Sequence, residues 1–137
     1  MTTITSPTDQ EFEDLLAFRD TLRRFMRWSS ERAGEVGLTP AQHQLLLAVR
    51  GHGSTPTVGD IAAHLLLRHH SAVELIDRAE RLDLVRRHDD PDDARVVRVA
   101  LTTHGQRLLA ELSSSHLAEL RRLRGSVGDL APMNQSH

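Results

Sequence analysis

The chain has 137 residues, a hydrophobic content of 39% and a formal net charge of −2, values that are ordinary for one globular domain. Because it contains no cysteine, disulfide bonds, thiol redox chemistry and cysteine-ligated zinc are excluded. The opening stretch, MTTITSPTDQ, lacks the basic start and apolar core of a signal peptide, and no apolar run is long enough to cross a membrane. We therefore expect a cytoplasmic protein without a membrane partner.

The first predicted helix covers residues 9–33. Leu15, Phe18, Leu22 and Phe25 recur at intervals of three and four positions, which places them along one narrow apolar seam. A seam of this kind usually packs in a core, but on a terminal helix it also suits pairing with a second subunit. The sequence therefore predicts a homodimer formed through the terminal helices.

Three shorter helices are predicted next, and each has a start signal. The second begins at Pro40, which suits a first helical turn, and ends at one of the glycines that follow. Thr57 and Asp60 have the spacing of a capping box and begin the third helix. Ser71 and Glu74 repeat this spacing, which predicts that they open the fourth. Two helices with so short a connection form a candidate helix-turn-helix.

A β-hairpin follows the fourth helix. Residues 85–88 and 95–101 are predicted as strands, and the aspartate-rich segment between them as a turn. A leucine-rich helix over residues 103–124 comes next, and residues 125–137 are expected to form an irregular tail. The predicted fold class is mainly α with a small β-hairpin, that is, a winged helix-turn-helix domain flanked by N- and C-terminal dimerisation helices.

Two segments, VGDIAAHLLLRHHSAVELIDRAERLDLVRR and DPDDARVVRVALTTHG, resemble the MarR family of bacterial transcription regulators. The second segment is similar to the family's wing and the start of its following helix, with Asp93, Arg95, Thr102 and Gly105 at the family spacing. The resemblance covers about residues 38–112 and implies one MarR-like domain over residues 1–137, with a DNA-binding lobe at 38–102. Asp83 departs from the pattern, because the family usually has glycine there and aspartate tolerates a left-handed cap less well. The final helix is also expected to be shorter than the family pattern, because APMNQSH stands where more apolar periodicity would follow, and we expect a smaller dimer interface than is usual.

The resemblance implies a homodimer that binds a pseudo-palindromic operator in double-stranded DNA. Such a regulator is expected to act as a repressor, and a small aromatic or anionic effector is expected to release it from DNA. The helix that enters the major groove would present, carried over residue by residue, Arg68, His69, His70, Ser71 and Glu74. For Ser71 a plain helix cap, and for the two histidines a solvated surface position, are the alternative interpretations.

The resemblance also assigns roles in the wing. Arg95 would enter the minor groove, and Asp93 would orient its guanidinium. Arg86 and Arg87 are candidate phosphate contacts, whereas Arg98 serves equally well to balance the acidic turn. The remaining aspartates, Asp89, Asp90 and Asp92, are expected to build the turn and to stay outside the groove.

Other classes of function remain open in the sequence. No HExxH-type spacing or other catalytic constellation occurs among the nine histidines and many carboxylates, so we expect no enzyme, no cofactor and no bound metal. One alternative is a metal-responsive regulator of the same fold, because imidazole and carboxylate groups bind zinc without cysteine. Another is a protein-interaction module that uses the aromatic seam and does not bind DNA.

Overall fold

The computed structural model describes residues 5–127, and this part of the chain confirms the predicted fold class. Its elements in chain order are α1 (Asp9–Glu35), α2 (Pro40–Gly51), α3 (Val58–Leu65), α4 (His69–Arg81), β1 (Val85–Asp89), β2 (Val97–Leu101) and α5 (Thr103–Val127). The two strands are antiparallel and pair from Val85 with Leu101 to Asp89 with Val97. Of the predicted irregular tail, residues 125–127 belong to α5, and the rest lies outside the described residues. None of the described helices is long and apolar enough to span a membrane.

The start of α4 differs from the prediction. Ser71 does not cap this helix, because it is the third helical residue and the N-cap is Arg68. Among the described residues, no side chain bonds to the free amides at this end. The reason is the turn before it, where Leu66 ends α3 in the left-handed conformation with φ 56° and ψ 41°. Helical bonding then resumes at once, since the backbone N–H of Ala72 donates to the Arg68 carbonyl at 3.0 Å. The Ser-x-x-Glu spacing therefore lies inside the helix.

The core lies where α2, α3, α4 and the hairpin meet. Its fully buried side chains include Leu45, Leu46, Ile61, Ile76 and Val99. They come from apolar positions spaced for helices and, in β2, for a strand, so the sequence pattern and the packing agree. This core fixes α4 and the hairpin relative to each other.

The junction between the hairpin and α5 depends on two backbone features. Asp83 adopts the left-handed conformation with φ 59° in spite of its side chain, and its carbonyl accepts a hydrogen bond of 2.5 Å from the Thr102 hydroxyl. That hydroxyl in turn accepts the Gly105 N–H at 3.0 Å. A Cβ on Gly105 would overlap the Leu84 carbonyl oxygen, so only glycine allows α5 to begin this close to β1.

Candidate nucleic-acid interface

The N-terminus of α4 is open, in contrast to the preceding helices. Capping boxes close α1, α2 and α3, at Thr8, Thr39 and Thr57 respectively. Within residues 5–127, no side chain accepts from the first-turn amides of α4, and Arg68, His69 and His70 are all exposed there. Free amides at the positive end of a helix, next to a guanidinium and two imidazoles, form a surface that suits phosphate oxygens and base edges.

The exposed face of α4 continues beyond this first turn. Ala72, Leu75, Ile76 and Ala79 bury one face of the helix in the core. The opposite face therefore carries the predicted Glu74 together with Arg78 and Arg81, which the sequence analysis did not select. The sequence could have indicated Arg78, because it follows Glu74 by about one helical turn and therefore lies on the same helix face. Ser71 is half-buried, so it lies at the edge of this surface.

Asp90 organises the turn of the wing. One of its carboxylate oxygens accepts the backbone N–H groups of Asp92 and Asp93, both at 3.0 Å. The other oxygen accepts the Arg98 Nε–H at 2.5 Å, and Arg98 also donates from Nη1 to the Thr55 carbonyl at 2.7 Å. The bond from Arg98 is the main cause that lowers the pKa of Asp90. Arg98 thus joins the wing to the segment between α2 and α3 and is not presented as a free phosphate ligand.

Arg95 lies at the tip of the wing and is paired with Asp93. The two carboxylate oxygens of Asp93 accept from Nε and Nη2 of Arg95, each at 3.1 Å, and the Arg95 backbone N–H adds a third bond at 3.0 Å. The hydrogen bond from the Arg95 side chain lowers the pKa of Asp93. The Arg95 side chain is nevertheless 90% exposed, so a preorganised guanidinium fork faces solvent.

Arg87 has a different environment from its neighbour Arg86. Its Nη2 lies 2.5 Å from an Asp77 oxygen and 2.8 Å from a Glu80 oxygen, and its backbone N–H donates to Glu80 at 3.2 Å. The side-chain hydrogen bonds, that to Glu80 first, raise the pKa of Arg87, and the bond from the Arg87 backbone N–H is the main cause that lowers the pKa of Glu80. Arg86 is exposed and makes only a 3.4 Å contact with Asp83. Arg87 therefore clamps the wing to α4, whereas Arg86 is presented to solvent.

Apart from Arg86, which is exposed on β1, the predicted site residues thus fall into three groups. The first comprises the exposed start and outer face of α4, and the second is the Asp93–Arg95 fork at the tip of the wing. The third is the clamp of Arg87 with two α4 carboxylates, which links the other two. An exposed helix face beside an exposed arginine fork is the arrangement with which winged proteins contact a major and a minor groove.

Comparisons with known proteins identify the family. Residues 36–96 match the family model described as MarR family. The chain is 31% identical over 109 residues to YhbI of Bacillus subtilis, an uncharacterized helix-turn-helix transcriptional regulator, covering 69% of this chain and 70% of that protein. It is 27% identical over 130 residues to MdtR, a transcriptional repressor of the same organism, with 94% and 83% covered. A solved structure of a MepR variant from S. aureus, bound to an oligodeoxyribonucleotide, matches with a TM-score of 0.66 and 25% identity over 81% of this chain and 80% of that one. The chain belongs to the MarR family of helix-turn-helix transcription regulators.

Proposed function

We propose that the protein binds a pseudo-palindromic operator as a homodimer and represses transcription until a small effector releases it. The observation that carries the proposal is the open, exposed start of α4, where Arg68, His69 and His70 surround uncapped amides. The relatives add support, because MdtR is a repressor and the MepR variant was crystallised with DNA. A chain that acts on chromosomal DNA works in the cytoplasm, and the proposal assigns it no catalytic step.

In this proposal the residues divide into those that read sequence and those that bind any DNA. His69, His70 and Glu74 would contact base edges, with Glu74 accepting from a cytosine amino group. Arg68 and Arg86 would contact phosphates, and their contacts carry no sequence information. The exposed side chain of Arg95 would enter the minor groove while Asp93 holds it in place.

The homodimer is supported by apolar surface that one chain leaves uncovered. Leu15, Phe18 and Leu22 on α1 are 57%, 40% and 45% exposed, and Leu117 and Leu120 on α5 are 50% and 51% exposed. Because α1 and α5 also contact each other within the chain, these exposed apolar residues lie on two neighbouring helices, which suits pairing with a second copy. A two-fold axis through this surface would place two copies of α4 on successive major grooves.

An effector site is supported by a cluster where α1, α2 and α5 meet. The ring centroid of His116 lies 4.8 Å from the ring centroids of both Trp28 and His43. The Cζ atom of Arg32 lies 5.9 Å from the centroid of the Trp28 ring, and Nη2 of Arg32 pairs with Glu35 at 2.6 Å. The Nε–H of Arg32 is buried and has no hydrogen-bond partner among the described residues. This one free donor beside aromatic rings suits a small aromatic anion. Such a molecule would release DNA only if it binds two arrangements of the dimer with different affinity.

The DNA part of the proposal is tested by selecting bound fragments from a random-sequence library with purified protein and measuring their affinity by fluorescence anisotropy. We expect an inverted repeat with half-sites about one helical turn apart. His70→Ala should change the selected sequence, whereas Arg86→Ala should weaken all sequences alike. Failure to enrich any sequence, with non-specific binding alone, would refute operator recognition.

The effector part has its own measurement, because Trp28 is the only tryptophan of the chain. Benzoate, used as a small aromatic anion, should change its fluorescence saturably and weaken operator binding. Arg32→Gln should reduce both effects together. Unchanged fluorescence over the whole titration would refute a benzoate-type site at this junction and would leave the DNA-binding proposal intact.

A further inference from the structure

Two histidines of the DNA-binding lobe meet outside the proposed DNA interface. His52 caps the C-terminus of α2, and His64 lies in the last turn of α3. The Nδ1 atom of His52 lies 2.9 Å from the Nε2 atom of His64. On the far side of the His52 ring, Nε2 lies 3.3 Å from a carboxylate oxygen of Asp60.

The carboxylate determines which nitrogen of His52 carries the proton. Oδ2 of Asp60 accepts the backbone N–H of Thr57 at 3.0 Å and faces Nε2 of His52 across 3.3 Å. A proton on Nε2 of His52 suits this carboxylate neighbour, and it leaves the lone pair of Nδ1 directed towards His64. The single proton between the two rings must then come from the Nε2–H of His64. When His64 instead carries its proton on Nδ1, its Nε2 lone pair becomes available beside that of His52 Nδ1, and no net proton is lost.

We propose that this pair is a binding site for a divalent transition-metal ion that prefers imidazole, such as Ni²⁺, Cu²⁺ or Zn²⁺. The contact from Asp60 is the outer-shell carboxylate that orients a metal-binding histidine in many proteins. An ion roughly 2.0–2.1 Å from each of the two nitrogens would see them about 90° apart, which suits the square or octahedral arrangement of Ni²⁺ and Cu²⁺. Zinc requires the pair to open by about 0.4 Å to reach a tetrahedral angle.

Water completes the coordination of such an ion. No group of three or more histidine, aspartate or glutamate side chains within the described part of the chain could hold a metal, so two imidazoles are the protein ligands there. The ion would link the end of α2 to the last turn of α3. It would therefore stabilise the first half of the helix-turn-helix without contacting the exposed face of α4.

The experiment uses full-length protein without a histidine tag, at neutral pH, with Ni²⁺ as the first probe and Zn²⁺ as the second. Isothermal titration should show one Ni²⁺ bound per chain in the wild type, and the melting temperature should rise on addition of the metal. Binding should shift the imidazole ¹⁵N signals of His52 and His64. His64→Ala should lose both the binding event and the rise in melting temperature.

His88→Ala is the matched control, because His88 is also an exposed histidine of this lobe and has no contact with the pair. It should bind Ni²⁺ as the wild type does. His64→Gln, with folding checked by circular dichroism, repeats the test if the alanine variant does not fold. The proposal is overturned if wild-type protein binds neither probe, or if the folded His64 variant binds Ni²⁺ with unchanged affinity.

Discussion

The contact between the wing and α4 predicts different effects on stability and on DNA binding for the adjacent residues Arg86 and Arg87. Arg87→Ala removes three side-chain contacts to Asp77 and Glu80, all in a half-buried setting where the Arg87 side chain is 31% exposed. Exposed ion pairs contribute about 0.2–1 kcal/mol, whereas breaking a buried pair costs about 3–5 kcal/mol. An intermediate site should therefore lose about 1–2 kcal/mol of folding free energy. For a chain of this size that lowers Tm by several degrees.

The effect on DNA binding separates a positioning role from a phosphate contact. If Arg87 holds the wing against α4, Arg87→Ala weakens operator binding but leaves the slope of log K against log salt nearly unchanged, because the guanidinium is already paired with carboxylates. Arg86→Ala is the matched control at the neighbouring position. Because the Arg86 side chain is exposed, Arg86→Ala should change the free energy of unfolding by no more than about 0.5 kcal/mol. It should reduce the salt slope by about one unit per subunit.

The assays are thermal or urea unfolding for stability and fluorescence anisotropy at several salt concentrations for binding. A double-mutant cycle with Glu80→Gln should give a coupling of about 0.5–3 kcal/mol, as expected for residues in contact. The reasoning is refuted if Arg87→Ala keeps the wild-type Tm and lowers the salt slope by one unit, which is the behaviour of the phosphate contact predicted from sequence.

Three further predictions concern the wing, the dimer and pH. Arg95→Ala should reduce the affinity for the operator and lower the salt slope by about one unit per subunit. Asp93→Ala should also weaken binding, whereas Asp92→Ala should not. If anisotropy shows that both aspartate variants tighten binding equally, Asp93 has no orienting role. Leu22→Glu places a charge in the exposed α1 seam and should convert a dimer into a monomer in light scattering; an unchanged mass would mean that the seam is not the interface. Burial lowers the pKa of His43, so the unfolded chain binds more protons and stability should fall as pH drops below about 6.5; His43→Gln should reduce this dependence in urea unfolding, and an identical profile would contradict it.

The elements were predictable because their signals are local. Helix starts at Thr39 and Thr57 depend on contacts three residues apart, and the alternation in β2 lies within five residues. The error at Ser71 has the same origin, since Ser-x-x-Glu also occurs inside helices. Only the left-handed turn at Leu66, which brings His69 into the helix, distinguishes the two cases. Nothing in the local sequence required a leucine to adopt that conformation.

Contacts between elements could not be predicted in this way. Arg87 meets Asp77 and Glu80 only because the chain reverses at Asp83 and lays β1 against the end of α4. From sequence alone an arginine beside an acidic turn and on a wing strand is a reasonable phosphate contact. The packing of the hairpin on α4 pairs this guanidinium with two carboxylates, a contact that the sequence did not predict, and the phosphate contact of Arg87 stays a prediction.

The aspartates of the acidic turn have different structural roles. Asp90 accepts two backbone amides and the Arg98 guanidinium, so it builds the turn and attaches it to the rest of the lobe. Asp93 instead holds the exposed Arg95. Each of these carboxylates is neutralised by an arginine, and each arginine is oriented in return. The charge that would repel phosphates is therefore confined to the remaining aspartates, and the wing presents its cation at the tip in spite of its acidic sequence.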